Sequence, residues 1–255
     1  MKLSRSILLA TTLLILAALP VRADETFSFK GGYFTLNPEG DLAVSGSGII
    51  GDVLDIENDL GIDDDDGFFA EAALQLGAFR LFAGYLPVEF SGENILTRSI
   101  EFNGETFVVG SLVESDVEID IYEAGLAWFL VNLDDTPVRL QLGPEVAVKY
   151  IDLQTELSAA EFGLRESESV GVAVPTLGAR ARIALSDFLG VVGRVGYLEY
   201  DGNSFLDADA QVEFSPLPLV GIFGGYRYLD VDVDEGDVYI NATFSGPYAG
   251  ALIRF

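Results

Sequence analysis

Apolar side chains recur at every second position through most of this chain. A period of two belongs to strands, not to helices. From 138 to 150, Val138, Leu140, Leu142, Val146, Val148 and Tyr150 share one face with Pro144, while Arg139, Gln141, Gly143, Glu145, Ala147 and Lys149 share the other. The same alternation runs through 68–76, 79–85, 122–130, 177–183 and 206–214, less cleanly through 26–36, 190–201 and 219–233, and again through 238–255. Ten strands are therefore predicted, with eight as the alternative count. No apolar run after residue 23 approaches the roughly 20 residues of a spanning helix. Yet 49% of the chain is hydrophobic. Strands, not helices, are expected to meet the apolar phase.

The connections predict how such strands close. Those near Gly77 and at 131–136, 186–189 and 215–218 are short, whereas 37–66, 97–112 and 152–167 read as long, acidic or polar loops. Short turns at one end, larger loops at the other and an even strand count describe a transmembrane barrel with both termini on the short-turn, periplasmic side. Alternation alone does not say which face looks inward, because a soluble barrel would turn the apolar face inside. Three features favour apolar-out. Tyr85, Tyr122, Trp128, Tyr150, Tyr197 and Tyr226 lie near the ends of the apolar stripes, as interface aromatics do. The opposite face is rich in Gly, Arg and Glu, suiting a narrow charged lumen. A last strand that alternates through to Phe255 suits a sheet that must pair its final strand with its first, because lipid leaves no backbone group unpartnered.

Residues 1–23 read as a secretory signal peptide. Lys2 and Arg5 precede an apolar run from Ile7 to Leu19, and Val21-Arg22-Ala23 forms a cleavage site. The expected domain division is thus 1–23 as signal peptide and 24–255 as barrel. Its removal takes away Lys2, Arg5 and Arg22 and no acid, leaving 11 bases against 41 acids, a net charge of −30. Repulsion excludes nucleic acid as a partner. Cysteine is absent, which excludes disulfides and thiolate metal sites.

The closing segment FSGPYAGALIRF, with Ile253 and Phe255 at its end, resembles the signal read by the outer-membrane assembly machinery. IENDLGIDDD, LFAGYLPVEFSG, TRSIEFNGETF and GYRYLDVDVD resemble segments of small bacterial outer-membrane β-barrel proteins, loosely of the OmpA and OmpW type. The resemblance implies an all-β, closed antiparallel barrel in the bacterial outer membrane, with the bilayer, lipopolysaccharide and the assembly machinery as partners. It carries no single activity.

Nine of the 11 bases fall in predicted strands, on the face assigned to the lumen: Lys30, Arg80, Arg139, Lys149, Arg180, Arg182, Arg194, Arg227 and Arg254. Glu71, Glu123, Glu145, Asp207, Asp209 and Glu213 face them, and Phe82, Tyr200, Phe223 and Tyr248 are expected to crowd the interior. Two readings stay open: Arg and Glu pair across the lumen and fill it, or they line a narrow anion-favouring pore. Acids cluster elsewhere, at Asp63, Asp64, Asp65 and Asp66 and at Asp230, Asp232, Asp234, Glu235 and Asp237. Their spacing departs from a calcium loop: Gly236 is one place late and the distal Glu is missing. No resident metal or cofactor is expected. Asp63–Asp66, Asp232 and Asp234 are at most weak divalent-cation ligands, bridging to lipopolysaccharide phosphates. Asn103-Gly104 signals a two-residue hairpin, and 97–121 reads as a hairpin projecting above the membrane. The apolar face changes parity near Ile121, which suggests a bulge. Histidine, the usual general base near neutral pH, is absent. The expectation is a non-enzymatic envelope or surface-binding barrel, with a narrow passive pore as the alternative and adhesion through acidic loops as the third.

Overall fold

The computed structural model describes residues 26–44, 52–62, 64–133, 138–217, 219–235 and 238–255. Segment 1–23, read as a signal peptide, lies outside the described residues, as do Asp63 and Asp237. Ten long strands carry the fold: β1 (Phe27–Val44), β2 (Asp65–Leu76), β3 (Phe79–Ile95), β4 (Leu112–Trp128), β5 (Arg139–Ala159), β6 (Leu164–Ala184), β7 (Leu189–Tyr200), β8 (Asn203–Phe214), β9 (Val220–Glu235) and β10 (Val238–Arg254). Each pairs antiparallel with its chain neighbours. β10 pairs β1 from Ser28↔Arg254 to Val44↔Val238, which closes the sheet into a ten-stranded barrel. Phe255 takes part in that closure. Its N–H donates to the Phe27 carbonyl at 2.8 Å, and its carbonyl accepts from the Thr26 and Phe27 amides.

The alternation places side chains as the period requires. On β4, Trp128, Tyr122 and their even-numbered neighbours point outward, and Ala127 and Glu123 point inward and are buried. An apolar band outside and ionic groups inside is the arrangement of a barrel in lipid. Aromatic pairs stiffen both edges of the band: Phe79 stacks on Trp128 at 5.9 Å, and Tyr85 on Tyr122 at 4.8 Å. Gly178, on the inward face of β6, permits close strand approach, because a Cβ there would lie 1.7 Å from the Val195 carbonyl oxygen.

Two segments that read as loops are largely strand. Residues 37–44 extend β1, and 152–159 with 164–167 continue β5 and β6 as a paired hairpin, turned by a 3₁₀ segment at Ala160–Phe162. Their acidic outward faces gave them a loop-like composition.

The bulge expected near Ile121 is also not there. β4 pairs β3 without a break from Phe79↔Trp128 to Ile95↔Leu112, and β5 from Glu114↔Ser158 to Ala127↔Glu145. What changes at Tyr122 is the polarity of the two faces, not the register. Beyond it the outward positions are Asp120, Glu118, Asp116 and Glu114, and the inward ones, Ile121, Ile119, Val117 and Val113, are buried apolar residues. β3 turns over after Tyr85, β5 after Tyr150 and β9 after Tyr228 in the same way. The barrel therefore has a lower storey that is apolar outside and ionic inside, and an upper storey that is acidic outside and apolar inside. Tyrosine hydroxyls mark the seam: Tyr85 donates to Asp120 at 2.7 Å, Tyr197 to Glu199 at 2.9 Å and Tyr228 to Asp230 at 3.2 Å.

Candidate functional site

The lumen of the lower storey is filled by side chains from all ten strands. Asp207, on β8 and 1% exposed, lies at the centre. Its carboxylate accepts from Lys149 of β5, Arg194 of β7 and Arg227 of β9, each at 2.9 Å. Glu123 of β4 pairs with Lys149 and, at 3.0 Å, with Arg194. Glu145 pairs with Arg180, and Arg194 reaches it at 3.9 Å. Nearer the short-turn end, Glu213 gathers Lys30 at 3.1 Å, Arg182 at 3.4 Å and Arg254. Arg80 pairs with Glu71 at 3.3 Å. Phe82 lies flat under the Arg180 guanidinium, 4.9 Å from the ring centre, in cation–π geometry. Asp209 accepts from the Tyr248 hydroxyl rather than from a base.

Seven of the eight residues singled out for the lumen, Glu71, Arg80, Glu123, Glu145, Lys149, Arg180 and Arg182, thus meet inside the barrel as ion-paired groups. Arg139 stands at the short-turn rim, where it meets the exposed Asp187 at 3.4 Å. Phe82, Phe223 and Tyr248 are buried inside as expected, but Tyr200 is 74% exposed. It has inward parity, yet it lies at the tip of β7 with no wall above it.

Over this network lies a cap that the sequence reading missed. Residues 52–62 and 96–111 fold into the mouth of the barrel. Leu54, Ile56, Leu60 and Ile62 from the first segment and Ile100, Phe102 and Phe107 from the second are buried together against β3, β4 and β5. Residues 97–111 do not project as a rim, and 112–121 belong to the wall of β4. The Asn103-Gly104 turn is present, with φ of 47° and 85° and pairs Ile100↔Phe107 and Phe102↔Glu105. It turns the hairpin inward because Ile100, Phe102 and Phe107 need burial. Alternation in IEFNGETF and apolar positions among the acids of VLDIENDLGI were the signals.

Arg98 clasps the two segments. Its guanidinium bonds the Val53 carbonyl at 2.7 Å and the Asp59 carboxylate at 2.9 Å, and Asp52 lies at 3.8 Å. These acids hold the Arg98 guanidinium above its ordinary pKa. Asp55 accepts from the Asn58 backbone N–H at 2.7 Å and its side-chain amide at 3.1 Å, which holds the carboxyl below its usual value. Between cap and network, a cavity of about 60 Å³ is lined by Glu71, Glu123, Arg194 and Asp209 below and by Phe34 and Leu86 above. That is room for a few water molecules.

The acids of the tall end do not converge. Among the described residues, no three His, Cys, Asp or Glu side chains are grouped to hold a metal ion. Asp64, Asp65 and Asp66 lie around the start of β2, and Asp232 and Asp234 face outward on β9. The described bases outside the network, the rim Arg139 apart, are Arg98 and Arg165, and both are ion-paired, Arg165 with Glu156 at 2.8 Å.

No family model and no curated protein matches the sequence. Solved structures do match in shape. The outer-membrane protease OmpT of Escherichia coli superposes with a TM-score of 0.55 at 10% identity, over 91% of this chain and 97% of that one. The translocator domain of the autotransporter NalP from Neisseria meningitidis gives 0.47 at 10% identity, over 100% and 97%. Ail, the attachment invasion locus protein of Yersinia pestis, gives 0.40 at 12% identity, over 90% and 99%. At such identities the likeness to OmpT speaks for the fold alone. The fold of this chain is that of a bacterial outer-membrane β-barrel protein.

Proposed function

We propose that this chain is a non-conducting, non-enzymatic protein of the bacterial outer membrane. Its termini are periplasmic, and its acidic upper storey is a binding structure at the cell surface. One observation carries the reading: the lumen is filled twice, by ions below and by the apolar cap above. A conducting barrel needs a continuous wet path, and among the described residues the buried side chains of both layers stand across it. No histidine is present to serve as a general base. Residues 1–23 act as the export signal, and Ile253 and Phe255 as the assembly signal. Contact with lipopolysaccharide phosphates requires bridging divalent cations, since the outer wall presents carboxylates and the Arg98 and Arg165 side chains are paired.

Planar-bilayer recording of the purified protein tests this directly. Flat baseline current at 1 M salt is expected. Well-resolved, reproducible single-channel steps would replace the filled lumen with the narrow pore.

A further inference from the structure

The wall of the upper storey is open on one side. β6 pairs β5 along its whole length, from Leu164↔Ala159 to Ala184↔Arg139. It pairs β7 only from Leu177↔Tyr197 downward. Among the described residues, β6 therefore has a ladder neighbour on one side only from Arg165 to Thr176. β7 and β8 turn back at Asp201-Gly202, four residues beyond the last shared pair. The free edge is 12 residues long, about 40 Å at the rise of a strand.

The cap touches this edge at Glu166, whose carboxylate accepts from the Asn103 side-chain amide at 3.5 Å, and leaves the apolar stretch beyond it uncovered. It lies over the inward faces of β3, β4 and β5, yet on β6 Val170 is 38% exposed and Val172 47% exposed. Both stand on the inward face, in line with Val174, which packs at the margin of the buried core. The apolar interior thus runs out onto a strand that is paired on one side only. Tyr200 stands exposed across the gap. The strands that border the gap carry Glu166 and Glu168 on β6, Glu199 at the end of β7, Asp201 in the turn after it and Asp232 and Asp234 on β9, while Arg165 is paired with Glu156. An unpaired edge is a template for strand addition, in which backbone hydrogen bonds give affinity and alternate side chains give selectivity.

We infer that the free edge of β6 takes up an extended cationic polypeptide in which basic residues alternate with β-branched apolar ones. The apolar side chains would lie beside Val170 and Val172, and the basic ones would meet the surrounding carboxylates. Charge selects this occupant over a second copy of the chain, because edge-to-edge pairing would oppose two acidic upper storeys. The inference rests on the surface-binding reading and names its partner class.

The test uses a labelled ten-residue peptide of alternating Lys and Val, with the protein in detergent micelles. Saturable binding by fluorescence anisotropy is expected, weakened by 0.5 M salt and lost when Asp replaces Lys in the peptide. The double variant Val170→Ser, Val172→Ser removes the apolar contact without adding charge, alters exposed side chains and should keep the folded mobility of the barrel on gels. It should weaken binding about tenfold or more. Amide exchange across 165–176 should slow when peptide is added. No binding, binding unchanged in the double variant, or binding without protection of β6 overturns the inference. So does a micellar dimer in which those amides are already protected, which would give the edge to a second copy. None of these results touches the non-conducting reading, which bilayer current decides.

Discussion

Replacing Asp207 by Asn measures whether the lumen is a dry ion network or a wet channel. The substitution keeps shape and one acceptor but removes the charge shared by Lys149, Arg194 and Arg227, each 2.9 Å away. Two of these cations retain Glu123, and Arg227 loses the carboxylate to which it donates from two nitrogens. Removing one member of a buried ionic group costs about 3–5 kcal/mol, because the remaining charges stay desolvated. In a water-filled lumen the same change would cost about 1 kcal/mol or less. Equilibrium urea unfolding in lipid vesicles, followed by the gel mobility of the folded barrel, separates these outcomes. A double-mutant cycle with Lys149→Met should return a coupling of about 0.5–3 kcal/mol. A loss below about 1 kcal/mol together with no coupling would refute the filled-lumen argument.

Glu145→Ala strands Arg180 and should likewise cost about 3–5 kcal/mol; unchanged unfolding with unchanged bilayer current would show that this pair does not hold the barrel. Phe102→Ala empties the centre of the cap and should cost the cap about 3–5 kcal/mol, read as faster amide exchange at 54–62 while the barrel keeps its folded mobility. Arg98→Ala opens a clasp that is largely solvent-exposed, so a loss of at most about 1 kcal/mol is expected, measured as earlier protease cutting in 52–62. Asp55 titrates lower in the folded cap than in an unfolded chain, so its contribution is complete above about pH 4 and is lost as pH falls through the folded value. Exchange at 54–62, corrected for intrinsic rate, should therefore rise in acid, and Asp55→Asn should abolish that dependence.

The lower storey was legible because lipid imposes a strict rule on each strand. Alternation from 138 to 150, and the Arg and Glu residues on its second face, gave the barrel, the strand count and the interior network. The upper storey was harder because it obeys the opposite rule. A reader who expects apolar side chains always outside takes the change at Ile121 and Tyr122 for a bulge and the acid-rich ends of β5 and β6 for loops. The cap was obscured by length: Leu54 with Ile56 and Leu60 with Ile62 are two short apolar pairs split by Asn58 among acids, and only their burial shows their role. Asp207 could be placed inside from parity, but its centrality depends on barrel stagger, which brings β5, β7 and β9 to one level.

The tyrosine seam also fixes how deep the molecule rides. Sinking it by one strand pitch would drag Asp120, Glu199 and Asp230 into hydrocarbon, and raising it by the same amount would hand Phe68, Tyr85 and Tyr122 to water. Because both displacements are penalised, the barrel acts as a float with a marked waterline. Tolerance to substitution should reverse across that line: on a single strand face, leucine is accepted below it and aspartate above.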